Sequence, residues 1–274
     1  MDAILTELST PALIHAIKAN LLEFFRHLSH AQQTEFYIGD KFMRWHTRIP
    51  HPWFNGVLAL EAPGDDSETI IAEEIAYFRA HEVLLFTWWL DPRLNVDEWA
   101  AKLLPQRFRS DHATPGMAME LRALPETVRA PEMLQIVPVE DAKRLKQWTH
   151  TFILGYELPL AWEADFYELM RDLGLEHPLH NYLGYLHGEP VATSNLFLAA
   201  GVAGIQCVAT IPKARGRGVG AALTLAPLLE ARHLGYQAGV LQSSDMGLNI
   251  YRRLGFQQLC AMEHFYRSTG NDFD

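Results

Sequence analysis

The chain has 274 residues, of which 49% are hydrophobic and 20% charged, a composition that excludes disorder and a length that suits two cores better than one. A formal charge of −10 argues against a general nucleic-acid surface and weakly favours a cationic or neutral partner. No apolar run reaches the roughly 18 residues of a membrane span, and no Cys/His set has the spacing of a metal site. Cys207 and Cys260 both fall in expected strands and read as buried thiols rather than a disulfide. The N-terminus carries acidic residues and a capped helix in place of a basic region and cleavage site. We therefore expect a cytoplasmic protein with no membrane and no nucleic-acid partner.

The first helix is expected after Ser9-Thr10-Pro11, a cap with proline at the first helical position. Leu13, Ile14, Ile17, Leu21, Phe24, Phe25 and Leu28 then recur at helical spacing. No basic face lies opposite this stripe, so it reads as a helix docked on a sheet rather than on a membrane surface. A strand over 55–62, a helix over 66–80, a strand over 83–89, a helix over 96–108 and a strand over 117–121 follow. Pro125 to Pro131, enclosing Glu126, Thr127 and Arg129, reads as a linker. The expected division is an α/β domain at 1–125, a linker at 126–132 and a second domain at 133–274.

The second domain is expected to open with a strand at 134–139 and helices at 140–153 and 161–173. Strands at 181–186 and 190–199 flank the turn His187-Gly188-Glu189, and a strand at 203–210 follows. Next come a helix at 218–234, a strand at 238–243, a short helix at 246–254, and strands at 256–261 and 263–267. Pro227 should kink the helix 218–234 nine residues in, beyond its first turn.

Between the strand 203–210 and the helix after it lies Ile211-Pro-Lys-Ala-Arg-Gly-Arg-Gly-Val-Gly-Ala221. Glycines at 216, 218 and 220 let the backbone take positive φ and come close to a ligand. The unpaired amides and dipole of the helix start make this an anion site suited to a phosphate or pyrophosphate. Arg215 and Arg217 add full charges able to fork onto phosphate oxygens. A Walker loop is excluded, because no Gly-Lys-Ser/Thr follows. Gly216-x-Gly218-x-x-Ala221 formally fits the dinucleotide fingerprint, yet the next strand, 238–243, lacks the acidic residue that fingerprint needs. A plain glycine turn before an ordinary helix is the remaining alternative. Downstream stands Ser244-Asp-Met-Gly-Leu-Asn-Ile-Tyr-Arg-Arg-Leu-Gly-Phe256, with Gly255 placed as a left-handed helix stop.

Arg215-x-x-Gly218-x-Gly220 resembles the R-x-x-G-x-G/A pyrophosphate loop of the GNAT N-acetyltransferase superfamily, and Tyr251-x-x-Leu254-Gly255-Phe256 resembles its second hallmark. The order β-α-α-β-β-β-α-β-α-β-β is similar to that superfamily over about 133–267. The resemblance implies a mixed-sheet α/β fold and an acetyl-CoA-dependent N-acetyltransferase. Its acceptor would be a primary amine of a small or amino-acid-like molecule attacking directly, with no metal. It implies that Val208, Ala209 and Thr210 hold the pantetheine arm, and that Arg215, Gly216, Arg217, Gly218, Val219, Gly220 and Ala221 hold the pyrophosphate. The Val208 N–H is then the donor to the thioester carbonyl. Tyr251 matches the general acid, a phenol of pKa about 10 that is protonated at neutral pH. Ser244 stands where many members carry Asn, with Asn249 as the substitute contact.

The resemblance leaves the general base open. Members often place a glutamate on the strand 203–210, where this chain offers Gln206. Glu157, Glu163, Asp165 and His180 are expected near the acceptor side, and none stands out as a base. Tyr156, Glu157, Asn195 and Phe197 are expected to border the acceptor. A non-catalytic acyl-CoA-binding protein is therefore the competing reading, and the protein is expected as a monomer or homodimer. The elements of 55–121 run in the same succession as those of 203–261, which we read as a degenerate second GNAT-like half; an unrelated α+β lid is the alternative. At the phosphate-loop position this half has Ala62-Pro-Gly-Asp-Asp-Ser-Glu68, whose acids would repel a pyrophosphate.

Overall fold

The computed structural model describes residues 3–91, 93–110 and 113–270. Its first half runs α1 (Thr10–His27), β1 (Glu35–Ile38), β2 (Phe42–His46), β3 (Asn55–Ala59), α2 (Ser67–Ala80), β4 (Leu85–Leu90), α3 (Val96–Leu103), β5 (Arg109–Ser110) and β6 (Thr114–Glu120). The second half runs β7 (Leu134–Pro138), α4 (Ala142–Gly155), α5 (Glu163–Leu173), β8 (Leu179–Leu186), β9 (Glu189–Ala199), β10 (Val202–Thr210), α6 (Val219–His233), β11 (Ala238–Gln242), α7 (Asp245–Leu254), β12 (Gln257–Met262) and β13 (His264–Ser268).

These elements form two compact units that do not follow the division expected at 126–132. One comprises the chain up to Ala31 together with Pro115–Cys260; the other comprises Gln32–Thr114 and the chain from Ala261. The reason lies in strand pairing. The first unit has a seven-stranded sheet ordered β12-β6-β11-β10-β9-β8-β7, and the second a six-stranded sheet ordered β1-β2-β3-β4-β13-β5. Thus β6, from the first half of the sequence, lies antiparallel to β11. In return β13, from the end of the chain, lies antiparallel to β4. Each sheet takes one inner strand from the other half of the sequence.

In the first unit the core fills one face of the sheet under α6, with Leu196, Leu198, Ile205, Leu223, Leu228 and Leu241 all buried. On the opposite face lies α1, whose Leu13, Ile17, Leu21 and Phe25 form its buried stripe. The Asn20 amide donates to the carbonyls of Phe197 at 3.2 Å and Ala199 at 3.1 Å. Ser9 does not cap α1 through its side chain; its hydroxyl donates to Glu7 instead, at 2.8 Å. His187 and Gly188, with φ of 53° and 81°, make the two-residue left-handed turn that suits a β8–β9 hairpin. α6 runs unbroken past Pro227.

In the second unit β3 and β4 are parallel and joined through α2. The core is aromatic, with Trp88, Phe86 and Phe78 fully buried and the rings of Phe78 and Phe86 stacked at 4.1 Å. α3 stops at Leu103, short of the expected 108, because Pro105 has no N–H to continue the helix; a 3-10 turn, Leu104–Gln106, follows. The sequence reading did not anticipate β1 and β2. β1 is short, edge-lying and mostly exposed. β2 carries Arg44, whose guanidinium pairs with buried Glu74 at 2.8 Å and lies 3.5 Å from the centre of the Tyr77 ring. Those partners come from α2, so the strand tolerates a charge the sequence pattern counts against it.

The two halves carry the same core succession. The parallel pair β3 and β4 joined by α2 matches β10 and β11 joined by α6, each pair followed by a helix and flanked by an antiparallel strand.

Candidate active site

The site grows out of β10. Its parallel pairing with β11 is confined to Ala203–Ile205 against Gly239–Leu241, although β10 itself continues to Thr210. On its other edge the register with β9 breaks between Gln206 and Ala209. Cys207 sits in that break with φ of 52°, and its carbonyl accepts from the Thr193 hydroxyl at 2.9 Å. Val208 therefore falls outside both strand registers, past the last pairing of β10 with β11. The wedge beyond that paired stretch is where a chain-like ligand can lie along backbone groups that β11 does not engage.

The wedge opens onto the glycine loop. Gly216 and Gly218 have φ of 73° and 84°, the left-handed conformations that glycine adopts without a steric penalty. Gly218 is the N-cap of α6, so the amides of Val219, Gly220 and Ala221 have no partner within the helix. α7 forms the facing wall. The Ser244 hydroxyl caps it by accepting from the Gly247 N–H at 3.3 Å, and Gly255, with φ of 105°, ends it. Between these elements lies a cleft of about 750 Å³.

Most of the expected site residues come together here. Val208, Ala209, Thr210, Arg215, Gly216, Gly218, Val219, Gly220, Ala221, Ser244 and Tyr251 line the cleft, with Tyr156 and Glu157 from the α4–α5 connection. Gly155, at the end of α4, makes this approach possible: a methyl group on it would lie 2.8 Å from the Ala209 side chain.

Four expected residues do not line the cleft. Arg217 is exposed on the outside of the loop, and Asn249 is exposed on the outer side of α7, where helical spacing from Tyr251 turns it away. Asn195 and Phe197 are buried in the face covered by α1, where the Phe197 ring meets Phe24 at 5.5 Å and His27 at 5.4 Å. Asn195 lies in register with Asn181 and Gln206 on the neighbouring strands.

The Arg215 guanidinium is not free for phosphate. It donates to the carbonyls of Thr210 at 3.0 Å and Gly155 at 2.7 Å and pairs with Glu157 at 3.0 Å. It ties the loop after β10 to the end of α4, a structural task in which its fork geometry matters.

Burial pushes the Tyr251 phenol up to about 12, an effect the Thr224 hydroxyl partly offsets. Burial likewise raises the Cys207 thiol to about 12, which leaves it protonated and unreactive at neutral pH. Tyr156 is shifted upward as well, by burial first and then by the nearby Cys207 and Tyr251. Tyr156 itself is 48% exposed and lines the cleft. Two protonated phenols and a protonated thiol thus gather where β10 is irregular.

The acids proposed near the acceptor side are engaged elsewhere. Glu163 meets His150 at 2.8 Å, and Glu157 meets Arg215. His180 faces α6, where its Nδ1 lies 3.1 Å from Glu230, away from the face covered by α1. The Gln206 amide donates to the Gln242 side chain at 3.2 Å. The sequence reading missed Pro125, Thr127, Val128 and Arg129, which form an outer wall of the cleft, and Arg253 on α7. No motif marks the former group; its prolines read as a linker.

Residues 144–256 match the acetyltransferase (GNAT) family, which marks a GNAT-family domain in this part of the chain. Solved structures extend the likeness in fold to most of the chain. A GCN5-related N-acetyltransferase from Kribbella flavida is 18% identical with a TM-score of 0.68, covering 92% of this chain and 96% of that one. A GCN5-related N-acetyltransferase from Sphaerobacter thermophilus is 15% identical with a TM-score of 0.62, covering 87% and 84%. A tandem GNAT protein from the clavulanic acid biosynthesis pathway is 12% identical with a TM-score of 0.59, covering 89% and 86%. The last is consistent with the two like halves seen here. No curated protein matches the chain. Among the described residues no helix is long and apolar enough to cross a membrane, and no group of three or more His, Cys, Asp or Glu could hold a metal ion.

Proposed function

We propose that the cleft binds acetyl-CoA and that the domain transfers its acetyl group to the primary amine of a small or amino-acid-like acceptor by direct attack. The observation that carries this reading is the position of Val208. It lies outside both strand registers, in the wedge between β10 and β11, with the glycine loop at one end and Tyr251 on the facing wall. The loop amides suit the pyrophosphate, and the edge of Val208, Ala209 and Thr210 suits the amide-bearing pantetheine arm. Bound there, the thioester supplies an activated acyl group. The Val208 N–H is the donor for the carbonyl oxygen, where charge develops on attack. Tyr251 holds a proton throughout the physiological range and is the donor to the departing sulfur.

One cofactor per chain follows from the same chemistry. The equivalent loop of the other half carries Asp65, Asp66 and Glu68, of which Asp66 pairs with Lys41 and Glu68 with Lys102. The acids of this loop still outnumber the lysines paired with them, and a position without excess positive charge does not attract a diphosphate. Calorimetry with CoA checks this: two sites per chain would refute it.

The second reading, a non-catalytic acyl-CoA-binding protein, draws on Gln206. No carboxylate stands on β10, Glu157 is paired with Arg215, and Glu163 meets His150. An assay of free-thiol release from acetyl-CoA across a panel of amines decides between the two. Amine-dependent release supports transfer; tight CoA binding with no amine dependence supports the binder.

A further inference from the structure

The connection between β6 and β7 is not a slack linker. Leu124 is buried in the core of the first unit, and Val128 packs against that core. Arg232 of α6 donates to the Leu124 carbonyl at 3.4 Å and to both carboxylate oxygens of Glu126, at 2.8 and 3.0 Å. Beyond that latch the backbone passes directly over the phosphate loop: a methyl group at Gly218 would come within 1.9 Å of the Arg129 carbonyl oxygen. Pro125, Thr127, Val128 and Arg129 line the same cleft as the loop amides.

This arrangement bears on where positive charge for a diphosphate comes from. Of the loop's own arginines, Arg215 is committed to Thr210, Gly155 and Glu157, and Arg217 lies outside the cleft lining. Two other arginines line the cleft, Arg129 and Arg253, and among the described residues neither makes an ion pair within the protein. Arg253 sits in the last turn of α7, where a cation already complements the helix dipole. Arg129 has no such role, and its own carbonyl lies against the residue that starts α6.

We propose that Arg129 is the cation that holds the diphosphate of the cofactor, delivered to the phosphate loop by a strap that Arg232 latches to α6. The inference rests on the cleft being a CoA site. It adds a residue from outside the GNAT motifs, and it makes the connection between β6 and β7 part of the binding surface.

The test is calorimetry on the intact protein with four probes: CoA, 3′-dephospho-CoA, pantetheine and inorganic diphosphate. Arg129→Gln should weaken CoA and 3′-dephospho-CoA alike, by about tenfold to a hundredfold, the range for a hydrogen bond to a charged group. It should weaken diphosphate and leave pantetheine unchanged. Glu126→Gln should weaken CoA less, by loosening the latch, and should add little on top of Arg129→Gln because both act through one contact. Unchanged CoA affinity in Arg129→Gln overturns the proposal. So does a loss confined to CoA, which would place Arg129 on the 3′-phosphate. A wild type that binds diphosphate in an Arg129-dependent way but not CoA would leave Arg129 standing and sink the CoA reading. Binding of neither probe sinks both.

Discussion

Gly218→Ala is the perturbation that best separates backbone preference from the fit of the strap. Gly218 and Gly216 share a left-handed conformation, with φ of 84° and 73°. Alanine in that conformation costs about 1 kcal/mol relative to glycine at either position. Their surroundings differ. A methyl group at Gly216 meets nothing within 4 Å, whereas at Gly218 it lies 1.9 Å from the Arg129 carbonyl oxygen, against an ordinary contact of 3.4 Å or more. The strap must therefore retreat by about 1.5 Å to restore an ordinary contact (3.4 − 1.9). That retreat strains the Glu126–Arg232 pair, whose carboxylate is largely exposed and which contributes about 1 kcal/mol at most. It also uncovers part of Val128, for about another 1 kcal/mol. Gly216→Ala should thus cost about 1 kcal/mol and Gly218→Ala about 2 to 4 kcal/mol. Urea unfolding followed by circular dichroism reads the difference, and hydrogen exchange at the α6 amides assigns it to this unit. Equal destabilisation by the two substitutions would show that the strap is not fitted to the loop.

Tyr251→Phe keeps the ring packed against Phe256 and removes only the proton; kcat should fall about 10²-fold with CoA affinity unchanged. Because burial holds the Tyr251 phenol near 12, the acid form persists through alkaline pH, and an alkaline limb near pH 9 that vanished in this variant would show the phenol titrating there and refute its upward shift. His27 is held near 4, mainly by burial and then by the charge of His30, while an unfolded histidine takes up its proton near 6.5. The unfolded chain then binds the extra proton between those values, so stability is complete above pH 6.5 and drops as pH falls toward 4, by at most about 3 kcal/mol. His27→Leu should flatten that dependence in urea midpoints taken at pH 7 and 4.5, and matching slopes would rule His27 out as the cause. A fragment starting at Ala130 lacks α1, β6 and the wall from Pro125 to Arg129, so it should be insoluble or fail to bind CoA; a soluble fragment of native affinity would refute the unit described above.

The loop and the Tyr251 block were legible because each is a local signal: glycines where φ is positive, and a helix ended by Gly255 at φ of 105°. Their neighbours along β10 followed from being adjacent in sequence. The residues expected across from them followed less well. Asn195 and Phe197 were placed by strand order, but order does not say which face a side chain takes once the β10 register breaks, and α1 covers theirs. Arg215 illustrates the other limit. Its charge is visible in the sequence, yet the carbonyls of Thr210 and Gly155 and the Glu157 carboxylate that engage it belong to three separate segments.

The exchange of β6 and β13 explains why the expected domain boundary failed while the expected succession of elements held. Alternating burial tells a strand which face is apolar and says nothing about its partner. β6 reads as the end of the first half and β13 as the end of the second, and each would complete its own half equally well on paper. In the structure each fills the corresponding slot of the other sheet, beside the second strand of the parallel pair. Such an exchange is simplest when the two slots are alike, which is what a pair of related halves provides. It also gives the connection after β6 its position. Because β6 lies in the sheet that contains β10 and β11, the chain leaving it must cross α6 to reach β7, and that path carries Arg129 over the start of the helix.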